Sequence, residues 1–261
     1  MATALTQTRL FTIVWCVSLP AAVVTAYLGL GTAVVTAVGE PVLGTAVLGV
    51  AVTVLVGAMR LLRPRWTAYE PGPLPGSGTP RFMWLVLGGL ALAFLASQAA
   101  VLWLYSVAGS NGFDQSQEAR QAAEPATVLL LTLVVAPVAE EMLVRGLLYP
   151  LLRRRTGVIA SVLVTAATFS VLHGNAVQAA STLPLAVLLA LVYERTRALW
   201  PCVLVHLGFN LAATAVPAPA LAGFANPVSA MLLTAAFLGC ALVLYQKITG
   251  QDRRRRRGPR S

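Results

Sequence analysis

Apolar stretches with almost no charge recur along this chain at about the length a helix needs to cross a hydrocarbon core, roughly 20 residues. They run at residues 10–31, 42–59, 82–105, 128–152, 157–172, 177–192, 199–216 and 228–245, the fifth and sixth being short. An all-α fold is therefore expected, a polytopic membrane helix bundle of about eight transmembrane helices. Composition agrees: of 261 residues, 57% are hydrophobic and only 11% charged, too few polar groups to clothe a water-soluble particle. The first stretch stays uncharged to Gly39. That exceeds the about 7–15 residues of a signal-peptide core, so it reads as a retained anchor.

The charges between the stretches test that division, because cytoplasmic loops should collect Lys and Arg. Arg9, the cluster Arg60, Arg63, Arg65 and Arg81, then Arg153 to Arg155, Arg195 with Arg197, and the end from Lys247 to Arg260 all fall on alternate loops. The loops between them carry Glu40, or Asp114, Glu118 and Glu124, and only Arg120 and Arg145 depart from the pattern. The expectation is a multi-pass cell-membrane protein with both termini cytoplasmic. The net charge of +10 is thus topological and points to no nucleic-acid partner. Cys16, Cys202 and Cys240 are odd in number and lie within apolar segments, which suggests neither disulfides nor a Cys-based zinc site. Four regions are expected: an N-terminal membrane helix pair at 1–63, a cytoplasmic Pro/Gly-rich linker at 64–81, the main membrane bundle at 82–246 and a basic cytoplasmic tail at 247–261. The tail's Arg253 to Arg257 run could contact anionic lipid, although a topological stop at the end of the last helix is the favoured reading.

An ionisable side chain in lipid costs about 2.5–3.5 kcal/mol on insertion scales, so the few present in these stretches carry weight. The fourth stretch contains Glu140, Glu141 and Arg145; the fifth is followed by His173, one turn after Phe169; the seventh contains His206 and Asn210. His173 and His206 are the only two histidines in the protein. At about 100° per residue, Glu141 and Arg145 share a helix face and can pair, whereas Glu140 lies about 140° from Arg145 and is available to another helix. His206 and Asn210 likewise share a face, and Phe169 can support the His173 ring by packing. Polar residues of these types also serve as interhelical glue. Together, however, a carboxylate base, an imidazole and two hydrogen-bond donors form a complete set for hydrolysis: the first two can take a proton from water, and the donors can stabilise an oxyanion.

The series Glu140-Glu141-Met-Leu-Val-Arg145, Phe169-Ser-Val-Leu-His173 and His206-Leu-Gly-Phe-Asn210, in order on successive apolar helices, resembles the CPBP family, the CAAX protease and bacteriocin-processing enzymes also called Abi proteins. The resemblance covers about residues 128–216. Val144 stands where relatives often carry Phe before the motif Arg. By this resemblance the chain would be an intramembrane glutamic endopeptidase. Glu140 and His173 would activate water, His206 and Asn210 would form the oxyanion hole, and Glu141, Arg145 and Phe169 would support the site. No metal or other cofactor is implied, and the partner would be a membrane-associated peptide or protein substrate. An Ala-, Val-, Leu- and Arg-rich composition looks bacterial, which makes a CaaX substrate an unexpected one. The rival readings are a zinc-dependent membrane protease, which lacks the H-E-x-x-H pattern here, a catalytically silent immunity or scaffold protein of the same fold, and a proton-coupled transporter. One geometric difficulty accompanies every catalytic reading. His173 lies 18 residues past Arg155, and His206 nine past Arg197. In straight perpendicular helices those separations are depths of about 27 Å and 14 Å, so a tilt, a late start to the fifth helix or a re-entrant segment is required.

Overall fold

The computed structural model describes residues 2–67 and 78–256, which are helical almost throughout and contain no strand. The helices are α1 (Ala2–Val38), α2 (Pro41–Leu62), the single turn α3 (Pro64–Thr67), α4 (Pro80–Ala108), α5 (Asn111–Ala122), α6 (Pro125–Arg153), α7 (Val158–Val171), α8 (Ala176–Thr196), α9 (Leu199–Ala215) and α10 (Pro227–Arg256). A 3₁₀ segment, Ala218–Phe224, follows α9. Most of the linker read at 64–81, including Pro71, Pro73 and Pro75, lies outside the described residues, as does the tail beyond Arg256. What is described of the tail up to Arg256 continues the last helix.

All eight apolar stretches are helical, and the protein is a multi-pass, all-α membrane bundle. Six helices are long and apolar enough to cross a membrane, and α9 with its 3₁₀ extension, bent by 97°, would make a seventh. The fifth stretch differs most from a full span. As α7 it has 14 residues, about 21 Å against a hydrocarbon core of about 30 Å. Its end is set locally: Gly174, at φ +75°, turns the chain, and α8 begins at Ala176.

Caps explain several boundaries. Glu40 closes the first turn of α2 by accepting from the Val42 and Leu43 N–H groups, after Gly39 has turned the chain at φ +77°. Glu124 does the same for α6, accepting from Thr127 N at 2.9 Å, with Pro125 in the first helical turn. These two loop carboxylates satisfy donors that have no partner inside a helix.

The chain gathers into two compact units, each assembled from two stretches of sequence: Met1–Tyr69 with Gly112–Asn175, and Glu70–Asn111 with Ala176–Ser261. In the first, α2 packs against both α1 and α6. Small residues allow that approach: a Cβ on Gly44 would lie 2.8 Å from the Cα of Val35, and one on Gly49 would lie 2.8 Å from Val135 Cγ1. In the second, α4 packs against α8 and α10, and α9 packs against α8. The core there includes Leu185, Leu188, Leu189 and Leu244, all at most 1% exposed.

Candidate active site

Helix α6 carries the paired glutamates and is not a uniform α-helix. Two five-residue π segments, Leu131–Val135 and Val144–Leu148, flank the α-helical stretch Ala136–Leu143 that contains Glu140 and Glu141. Each π segment is followed two residues later by a proline, Pro137 or Pro150. Proline has no N–H to continue the i to i−4 ladder and crowds the preceding turn, so the helix widens just ahead of it. The Gly146 carbonyl, four residues before Pro150, instead accepts Arg60 Nη1 from α2 at 2.8 Å.

Within this frame Arg145 Nη1 donates to Glu141 Oε1 at 3.0 Å, and both side chains are fully buried. The pairing expected from the four-residue spacing is present. The Arg145 guanidinium also lies 4.8 Å from the centre of the Phe169 ring on α7, a cation–π contact that ties the two helices. Phe169 in turn meets His173, with ring centroids 5.2 Å apart. The His173 Nδ1 is 3.0 Å from the Phe169 carbonyl oxygen. A carbonyl only accepts, so Nδ1 carries a proton there, which leaves Nε2 as the ring's second polar atom. Phe169 thus supports His173 with its ring, as expected, and also with its backbone.

Glu140 is half-buried on the same turn as Glu141. Arg120, on α5, lies within electrostatic reach of it; so does Tyr27, on α1. Arg120 also donates to Thr132 Oγ1 of α6 at 3.2 Å. Partial burial of its guanidinium lowers its pKa and the Glu140 carboxylate pushes it back up, although the residue as a whole is exposed, and an arginine remains charged under such shifts. α5 also closes on the turn that holds His173. A Cβ on Gly112 would lie 3.1 Å from the Cβ of Asn175, whose amide donates to the His173 carbonyl at 3.4 Å. Neither Arg120 nor Tyr27 was singled out from the sequence. For Arg120 a signal existed, since it is the one basic residue on a loop of the opposite charge class; Tyr27 carries none.

The first unit therefore links Glu141, Arg145, Phe169 and His173 by successive contacts and carries Glu140 on the same turn as Glu141. His206 and Asn210 belong to the second unit, on α9. His206 is buried at 3% exposure and Asn210 is half-buried, on one helix face as their spacing implies. Phe209 anchors that helix by an edge-on contact with Phe94 of α4, with centroids 5.8 Å apart, and Gly208 lets α9 sit against Leu90. Among the described residues, no group of three or more His, Cys, Asp or Glu side chains is arranged to hold a metal ion.

Residues 122–212 match the family model described as Rce1-like, type II CAAX prenyl endopeptidase Rce1-like. The match agrees with the family resemblance read from the sequence, over about a third of the chain. The matched segment runs from the end of α5 through most of α9 and contains every residue of the three motifs. It supports a CAAX-type membrane-protease fold for this part of the chain. No curated protein and no solved structure shows significant similarity to the chain.

Proposed function

We propose that the protein is an intramembrane endopeptidase of the glutamic type, cleaving a peptide bond of a membrane-associated peptide or protein. The observation that carries this reading is the chain of contacts from the buried Glu141, Arg145 and Phe169 to the half-buried His173, inside the segment that resembles CAAX prenyl endopeptidases. Such a chain fixes the orientation of an imidazole on the same unit as a second, differently surrounded carboxylate, Glu140.

In the proposed reaction Glu140, assisted by His173, removes a proton from water. The water oxygen then forms a bond to the scissile carbonyl carbon. The resulting oxyanion accepts hydrogen bonds from His206 and Asn210, which stabilise the tetrahedral intermediate. Collapse breaks the C–N bond as the proton taken from water passes to the leaving amine, giving one new carboxylate and one new amine. Glu141 and Arg145 neutralise each other and position Phe169, and hence His173; Arg120 and Tyr27 shape the field at Glu140. The short α7 bears on the depth difficulty. If it starts at one interface, it ends about two thirds of the way through the hydrocarbon, with His173 at its end.

The test is incubation of the purified protein in detergent with a library of apolar and amphipathic peptides. Cleavage by the wild-type protein and none by Glu140→Ala is expected. A protein that binds the peptides but leaves them intact would favour the silent scaffold instead.

A further inference from the structure

A second polar site, lined by none of the motif residues, lies wholly within the unit built from α4, α8 and α10. It is a cavity of about 430 Å³ lined by Thr79, Arg81 and Phe82 at the start of α4, by Arg195 near the end of α8, and by Leu244, Lys247 and Ile248 of α10 among others. That volume falls in the range of small-ligand sites, about 300–1,000 Å³. Three cations line it, and no described carboxylate does.

The three cations are held differently. Arg195 is built into the wall, at 4% exposure, with its guanidinium 5.2 Å from the Phe82 ring centre, an arrangement that keeps a charge fixed at low entropy cost. Arg81 and Lys247 are exposed at the rim. The N-terminus of α4, a 29-residue helix beginning at Pro80, adds its positive dipole end. Below the charges the lining is apolar, with Phe82, Leu244 and Ile248 buried at 8% or less. A cationic mouth over an apolar floor, between membrane helices, matches one ligand chemistry: a phosphate group joined to acyl chains. Arg81, Arg195 and Lys247 also all belong to the set of loops that the charge pattern assigns to the cytoplasm.

The geometry points to this cavity as a binding site for the headgroup of an anionic phospholipid, with the phosphate held by Arg81, Arg195 and Lys247 and the first acyl carbons against Phe82, Leu244 and Ile248. The site is independent of the proposed proteolysis. It differs from diffuse attraction to the Arg253 to Arg257 run because it is a formed cavity with a buried cation.

The experiment is a thermal-shift titration of the delipidated full chain in neutral detergent with phosphatidylglycerol, cardiolipin, phosphatidylcholine and inorganic phosphate. Phosphatidylglycerol and cardiolipin should raise the melting temperature, phosphatidylcholine should not, and inorganic phosphate should give at most a small part of the shift. The double variant Arg81→Gln with Lys247→Gln removes only exposed charges and should fold. Its response should need about thirtyfold more anionic lipid, two charges' worth. A variant with Arg253 and Arg254 changed to Gln should respond as the wild type. An equal response to phosphatidylcholine, an unchanged response in the Arg81 and Lys247 variant, or loss of response in the Arg253 and Arg254 variant would each overturn the site. A full shift with inorganic phosphate would overturn the lipid as its ligand.

Discussion

Adjacent carboxylates with different surroundings are the centre of this account at the scale of single residues. Glu141 is fully buried against Arg145, and removing one partner of such a pair leaves a charge in a low-dielectric interior, typically costing about 3–5 kcal/mol. Glu141→Gln and Arg145→Ala are each expected to lower yield and melting temperature together with activity. Changing both should recover part of the stability, because neither charge then stands alone; a double variant worse than the sum of the singles would contradict the pairing. Arg120, which couples to Glu140, is predicted to act on turnover and not on folding. Arg120→Gln should reduce kcat/KM about tenfold, roughly 1.4 kcal/mol, with Arg120→Lys recovering part of the loss and an unchanged melting temperature. The Glu141–Arg145 pair and the Phe169–His173 contact were legible in the sequence because helical spacing is local and a four-residue step fixes a shared face. Arg120 and Tyr27 were not, because their relation to Glu140 joins separate helices and no spacing along the chain encodes it.

Among the elements, helix α6 shows why a wheel drawn at 100° per residue succeeds only locally. Glu141 and Arg145 remain neighbours even though Arg145 lies within a π segment. Over the length of the helix, however, each π segment inserts extra turn and changes which residues face α2. The prolines that accompany these segments are visible in the sequence, but whether a proline kinks, widens or ends a membrane helix depends on what neighbouring helices supply, here Arg60 to the Gly146 carbonyl. α7 illustrates the same limit. Its apolar run looked like a short span, while its 14-residue extent is set by a turn at Gly174. Close helix approach gives a direct prediction. Gly44→Ala would set a Cβ 2.8 Å from the Val35 backbone, with no flexible side chain to give way, and should destabilise the protein by about 1–3 kcal/mol. Gly88→Ala, on α4 with nothing within 4 Å of the added Cβ, should be neutral or slightly stabilising. Thermal melts of the two variants side by side check this, and equal melting temperatures would contradict the packing of α1 on α2.

For the whole molecule, membrane class and helical fold were legible because both follow from the length of uncharged runs, which a bilayer imposes directly. The number of crossings was less so, since α7 and the bent α9 pair fall between a full span and a partial one. The charge alternation still predicts cytoplasmic termini. Reporters fused after Ser261 and inserted near Gln117 should report opposite sides of the membrane, and the same side for both would contradict the eight-span arrangement, which puts five crossings between them. The motif set, without zinc-protease spacing, predicts that peptide cleavage survives exhaustive chelation; activity restored only by added zinc would replace the glutamic mechanism with a metal one. The most direct measurement is of Glu140→Gln, which keeps the shape and hydrogen bonding of the side chain while removing the base. Purified beside the wild type, it should melt at nearly the same temperature and cleave no peptide that the wild type cleaves. Full turnover by Glu140→Gln would contradict the central claim.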